Sequence, residues 1–164
     1  MRSLHLHKSE LVILAPLDGQ VVPLERVPDE VFAQKLVGDG LAIEPWGSVA
    51  LAPISGRLVR LFPGGHAFVI AAGPEDREEE AAVIVHLGLD TVELAGDGFT
   101  LLAQEGDRVE AGTPVVRFDR ARIAARGKSL LSPVVFSGSG TLVRRASGTV
   151  QAGQDMLFVV KRSL

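Results

Sequence analysis

The 164-residue chain contains no cysteine and no tyrosine. Without cysteine there can be no disulfide, no thiolate metal site and no cysteine nucleophile. Aromatic residues make up only 5%, with a single tryptophan, which argues against a base-stacking surface for nucleic acid. Lysine and arginine form no basic block, and the formal net charge is −3. Binding to a phosphate backbone is therefore disfavoured too. No apolar run approaches the roughly 20 residues of a membrane span. The opening MRSLHLHKSELVILAPLDG carries one early arginine and a short apolar run broken by Pro16 and Asp18. It is a poor signal peptide and lacks a clear amphipathic helix. The expectation is a cytoplasmic protein with no direct membrane insertion.

What is present in quantity is glycine and proline, 18 and 9 residues, between short runs of Val, Ile and Leu. Many short strands joined by tight turns make an all-β signature. The length suits one domain with a proper core. Residues 1–10 read as a flexible tail holding an H-x-H pair, His5 and His7, and residues 11–164 as the single domain. Two units repeat. Ala15-Pro16-x-x-Gly19, within LVILAPLDGQVVPL (Leu11–Leu24), is echoed by Ala52-Pro53-x-x-Gly56, within SVALAPISGRLVRLF (Ser48–Phe62). Each reads as a hairpin. A further echo is Ser132-Pro133 with Gly138 and Gly140. The second unit, V-x-A-G before an apolar strand, occurs at Val109–Gly112 and Val150–Gly153. It resembles the turns of biotinyl- and lipoyl-type barrel-sandwich folds. Paired hairpins covering one another explain the repetition, as an antiparallel β-sandwich or barrel-sandwich. Two short helices are expected. One starts at Pro28-Asp29, with Val31, Phe32 and Leu36 on one face; the other spans Asp119–Lys128, with Ile123 as its apolar contact.

Two histidines sit in similar apolar settings. His66 lies in LFPGGHAFVI and His86 in AVIVHLGLD, separated by the polar stretch 73–80. Strand, turn, strand would set the imidazoles side by side, since directly opposed side chains on adjacent strands are roughly 5 Å apart. A lone histidine in a strand is usually a packed core or edge residue; two on neighbouring strands are harder to dismiss. Gly64-Gly65 is too short for a phosphate cradle and instead lets backbone approach the site. The stretch Glu75–Glu80 reads as a solvated hairpin tip.

A longer match adds to this. VHLGLDTVEL followed by GDGF, the upstream HAFVI, and DEVFAQKLVGDGLAIEP (Asp29–Pro45) resemble segments of the glucose-type enzyme IIA domain of the bacterial sugar phosphotransferase system. The resemblance runs from about Leu14 to Lys161. It implies an all-β fold of the duplicated hybrid motif type with one or two short helices. It implies a phosphocarrier in which His86 takes a phosphoryl group from the small carrier HPr and passes it to the cysteine of an enzyme IIB domain. His86 would attack through Nε2, with Nδ1 bonded to the backbone carbonyl of Gly88. His66 would stabilise the phosphoryl group. Asp90 would stand at the rim and sense charge, or else serve as a turn-stabilising cap. An apolar collar would meet HPr and IIB, at Val31, Phe32, Leu36, Val37, Phe62, Ile84 and Val92, with Phe32 and Phe62 as the exposed aromatic contacts. No cofactor is required, because the donor is already a phosphohistidine. The two histidines could share an intermolecular zinc with a partner's carboxylate. Members of the family also regulate transporters and metabolic enzymes. Two positions depart from the family pattern: Gly64 stands where threonine is usual, and Ile84 where an aromatic is usual.

The main rival is a zinc hydrolase of a related duplicated β fold using His66 and His86. Such sites want three protein ligands and a nearby base. The position two after His86 is Gly88, and H-x-H occurs only in the tail. A biotinyl or lipoyl carrier would need a lysine at a hairpin tip, and none is offered there.

Overall fold

A computed structural model of the chain describes residues 10–72 and 80–162. His5, His7 and Glu75–Glu79 lie outside the described residues, while Glu80 is exposed in a turn. Strands β1 (Glu10–Leu14), β2 (Gly19–Pro23) and β3 (Asp39–Pro45) come first, with helix α1 (Glu30–Ala33) before β3. Then follow β4 (Val49–Leu51), β5 (Gly56–Leu61), β6 (Ala67–Ala71) and β7 (Ala81–His86). A 3-10 turn at Thr91–Leu94 leads to β8 (Phe99–Leu101), β9 (Arg108–Val109) and β10 (Pro114–Phe118). Helix α2 (Arg120–Ala125) precedes β11 (Ser132–Gly138), β12 (Gly140–Arg145), β13 (Thr149–Val150) and β14 (Met156–Arg162). The all-β expectation with two short helices is met.

The sheets reveal a duplication. The large sheet runs β13-β2-β3-β11-β7-β6-β5-β9, and two three-stranded sheets run β1-β14-β12 and β4-β10-β8. All pairings are antiparallel. Strands β4–β10 form one half; β1–β3 with β11–β14 form the other, in the same order. The halves join where β7 pairs with β11.

The two repeated sequence units hold this arrangement, though not as hairpins. β1 pairs with β14, whereas β2 pairs with β3 and β13. Likewise β4 pairs with β10, whereas β5 pairs with β6 and β9. A-P-x-x-G is thus a crossing from a small sheet into the large one. Across the duplication the crossings bond each other, Leu14 N to Pro53 O and Leu51 N to Pro16 O, both 2.9 Å. Each V-x-A-G unit then ties back to its own crossing: Gly112 N to Ala52 O at 2.8 Å, Gly153 N to Ala15 O at 2.9 Å. The Ser132-Pro133 echo differs, because it lies within the continuous strand β11.

The glycine ending each crossing is required by space. A β-carbon on Gly19 would stand 2.2 Å from the Glu44 carbonyl oxygen, and one on Gly56 would stand 2.1 Å from that of Ala71. Both contacts are far inside van der Waals range and press on backbone that cannot rotate away.

The large sheet is buried on both faces at its centre, which is why β6, AFVIA, shows no polar alternation. One face carries the main core, including Ile13, Leu58, Phe68, Val83, Val85, Val134 and Phe158. The other carries a smaller cluster of Leu24, Val27, Phe32, Ala42, Leu89, Leu131 and Val135, with Ile84 packed against it. Strand periodicity puts His86 on the same face as Ile84.

Asp29 caps α1 by accepting a hydrogen bond from Val31 N at 3.0 Å, and Lys35, at φ 60°, ends the turn. With four residues, the helix cannot present Val31, Phe32 and Leu36 on one face. Val31 and Leu36 are exposed, and Phe32 is buried at 7% exposure. Helix α2 is capped by Asp119 and buries Ile123, as expected.

Replacing Gly19 or Gly56 by alanine should overpack the crossing and cost about 1–3 kcal/mol each. Urea unfolding would show this as a lowered midpoint at unchanged slope. Midpoints matching the parent protein would contradict the close-approach account.

Candidate active site

The β6–β7 pairing sets Ala67 opposite His86, with His66 one residue before. Leu87 N donates to His66 O at 2.7 Å, extending the ladder past the strand ends. The two imidazole rings meet edge to face with centroids 5.5 Å apart. Phe62 approaches His66 at 5.7 Å and Phe32 approaches His86 at 5.3 Å, both edge-on. His66 is buried and His86 half-buried. The expected adjacency is therefore present, inside a partly apolar rim.

His86 Nδ1 lies 2.6 Å from the Gly88 carbonyl oxygen. A carbonyl only accepts, so Nδ1 carries the proton and Nε2 holds the lone pair in the neutral ring. The peptide groups flanking that carbonyl are held from several sides. Gly88 N donates to Ser132 Oγ at 3.1 Å, and Ser132 Oγ donates to Leu130 O at 2.7 Å. Thr91 Oγ1 donates to Leu87 O at 2.6 Å, and Leu89 N to Ser129 O at 3.1 Å. Gly88 sits at φ 78°, and a β-carbon there would meet Ser129 O at 2.5 Å. Only glycine accommodates both the backbone angle and the space.

Burial pushes the His86 pKa below its ordinary 6.5, opposed by the Gly88 carbonyl and by the negative charges of Asp29 and Asp90. His66 is also lowered, chiefly by burial and further by His86, against a hydrogen bond to the Pro63 carbonyl. Both rings are therefore neutral at pH 7. Asp90 is exposed at φ 58° and makes no capping bond to the following turn. Its side chain therefore does not cap that turn, and its charge acts on His86.

Around the pair, Val31, Leu36, Val37 and Val92 are exposed, while Phe62 and Ile84 are half-buried. Phe32 is the correction: its ring is covered by the smaller cluster and reaches His86 only by an edge. Three further groups were not picked out from the sequence. Asp29 faces His86 electrostatically from the α1 cap, and Ser132 and Thr91 brace its carbonyl partner. Ser132 is 44 positions from Gly88, so no local spacing could have signalled it. Asp29, as the cap residue, did carry a local signal.

A neutral Nε2 beside a second imidazole suits nucleophilic transfer of a small charged group. Among the described residues no group of three or more His, Asp or Glu could hold a metal ion, so the zinc-hydrolase reading is not supported.

A family model described as phosphoenolpyruvate-dependent sugar phosphotransferase system, EIIA 1, matches residues 11–142. The PTS system N-acetylglucosamine-specific EIICBA component of Klebsiella pneumoniae is 43% identical over 152 residues, 91% of this chain and 23% of that protein. The chain thus spans less than a quarter of that relative's length. The PTS system glucose-specific EIIA component of Haemophilus influenzae is 39% identical over 155 residues, 93% of this chain and 90% of that protein. Glucose permease IIA from Mycoplasma capricolum has a TM-score of 0.86 at 35% identity, covering 95% of this chain and 99% of that one.

Because both histidines have depressed pKa values in the fold, the unfolded chain binds more protons once the pH nears 6.5. Their contribution to stability should be complete above that pH and be lost as the pH falls through it. Proton NMR titration of the ring signals should give midpoints below 6.5 for both. A midpoint at or above 6.5 for either ring would remove the desolvation argument for that residue.

Proposed function

The chain belongs to the EIIA 1 family of the phosphoenolpyruvate-dependent sugar phosphotransferase system, and from that membership we propose that His86 is its phosphoryl-carrying residue. The protein is a phosphotransferase component of that system. The phosphoryl donor is phospho-HPr, and the acceptor is the cysteine of an enzyme IIB domain. The IIB assignment draws support from relatives named as fused EIICBA components.

The observation that carries the proposal is the His86 Nδ1 contact to the Gly88 carbonyl, which leaves Nε2 free. In the transfer, the Nε2 lone pair attacks phosphorus as the donor's P–N bond breaks and its electron pair stays on the donor nitrogen. The Nδ1 proton remains at Gly88, so the phosphorylated ring is cationic. The negative charges of Asp29 and Asp90 favour that form of His86. No cofactor takes part, since the donor bond already has high transfer potential. A zinc ion held by His66 and His86 would need a partner's carboxylate and would compete for Nε2.

His66 stabilises the transferred group. One of its ring nitrogens already serves the Pro63 carbonyl. A neutral ring has one donor and one acceptor, so with that nitrogen kept on Pro63 a second donor toward phosphoryl oxygens comes from the protonated ring. The incoming negative charge raises its proton affinity and drives that uptake. The exposed Val31, Leu36, Val37 and Val92, with half-buried Phe62 and Ile84, form the docking rim for both partners.

Incubation with phosphoenolpyruvate, enzyme I and HPr should add one phosphate by intact mass, absent in His86→Ala. His66→Gln should still accept phosphate but pass it to IIB slower by about 10²–10³-fold. The His66 ring should titrate higher in the phosphorylated protein than in the free one. An unmodified wild-type protein, or a phosphorylated His86→Ala, would refute the assignment.

A further inference from the structure

Beside the catalytic pair but separate from it lies a cavity of about 570 Å³ between β8, β10 and the start of α2. That size is in the range of small-molecule sites, about 300–1,000 Å³. Its walls include three arginines, Arg117, Arg120 and Arg122, and one carboxylate, Asp119. In the β8–β10 ladder Arg117 stands directly opposite Thr100, and both are exposed. The neighbouring Val116 and Phe118 are buried in the main core, which leaves Arg117 to the outer face.

The charges are not balanced within the cavity. Asp119 Oδ1 is engaged as the cap of α2, accepting from Arg122 N at 3.0 Å. Arg122 is neutralised from outside by Asp97, which also binds Arg126. Asp119 is then the one lining carboxylate set against Arg117 and Arg120. Arg117 and Arg120 therefore bring two guanidinium side chains to the cavity lining, and a guanidinium can offer its N–H protons as a fork matched to a planar or tetrahedral oxyanion. Hydroxyls from Ser48 and Thr100 line the same space, and Phe99 gives it an apolar wall.

We propose that this cavity binds a phosphomonoester, its phosphate held by Arg117 and Arg120 and its organic part against Phe99. Phosphate is favoured over a carboxylate because more than one guanidinium converges with hydroxyl donors, which suits a dianion with several oxygens. The site does not use the histidines, and its occupancy does not depend on the phosphocarrier reading.

Titration of the full chain with glucose 6-phosphate, inorganic phosphate or glucose, at constant ionic strength and followed by amide NMR, tests this. The phosphate-bearing probes should give saturable shifts at Phe99–Thr100 and Arg117–Ala121, and glucose should give none. The shifts should persist in His86→Ala. Arg120→Gln with Arg117→Gln should weaken binding at least tenfold while the remaining amide spectrum stays that of a folded protein. Arg120→Lys, which keeps the charge but loses the fork, should bind more weakly than wild type. Tighter binding of glucose 6-phosphate than of phosphate would support the phosphomonoester assignment; equal binding would show that the organic part makes no contact with Phe99 and would overturn it in favour of free phosphate. Shifts confined to His66 and His86, or binding unchanged in the arginine variants, would overturn the proposal.

Discussion

Everything at the histidine pair depends on how β7 is held. It lies between β6 and β11 in a sheet covered on both faces, and both of its pairings run without a register shift. Bulges do occur, but in the β1–β14, β4–β10, β5–β6 and β12–β14 ladders. Since side chains alternate, a one-residue slip of β7 would swing His86 to the main-core face and Val83 and Val85 to the other. The burial of Val83 and Val85 therefore fixes where His86 points. The same strand is one side of the seam between the duplicated halves, β11 being the other, so His86 ends a strand that both halves constrain. On the proposed phosphocarrier reading, rigidity at that point serves a residue that must meet two partners with one geometry.

Desolvation shapes the chemistry in two opposing ways. It keeps both imidazoles neutral, which preserves the Nε2 lone pair, and it makes a cationic ring costly. Asp29 and Asp90 and the Gly88 carbonyl push His86 the other way. The outcome is a ring that is neutral when free yet has two carboxylates placed to favour a cationic form. His66 has no carboxylate among the causes of its shift, and the adjacent His86 depresses it further. The two histidines are thus chemically distinct despite similar sequence surroundings, and the asymmetry comes from the third dimension: α1 brings Asp29 to one ring only.

That asymmetry marks the limit of what the residues alone conveyed. The β content, the two helices and the histidine adjacency were legible, because each rests on local period or turn residues; the Nδ1–Gly88 contact came only from the resemblance to the enzyme IIA family. The repeated A-P-x-x-G units were legible as repeats but misread as hairpins. A turn signal states that the chain bends, not which sheet each arm joins, and here the arms join different sheets. Phe32 was misplaced because a four-residue helix has too few turns for its periodicity to define a face. Ser132 went unnoticed because Gly88 N reaches it only once β11 lies against β7, and Thr91 because its bond to Leu87 O, four positions back, needs the 3-10 turn.

Gly64 shows how a departure from a family pattern can be read physically. It sits at φ 92°, and a β-carbon there would stand 2.9 Å from Gly96 N. Gly96 in turn sits at φ 91°, its missing β-carbon 3.2 Å from Gly64 Cα. The two glycines pack back to back, drawing the 3-10 turn loop onto the loop that carries His66. Asp97, next in that loop, is clamped by Arg122 and Arg126 of the α2 segment, and Glu93 by Lys128. A β-carbon at position 64 could not enter without moving these segments apart. Exposed ion pairs contribute little individually, roughly 0–1 kcal/mol, but here two of them converge on one carboxylate. The loop beside His66 is consequently tied to α2, the element that also walls the arginine cavity. A change at α2 therefore has a short covalent and packed route, Asp97 to Gly96 to Gly64, to His66.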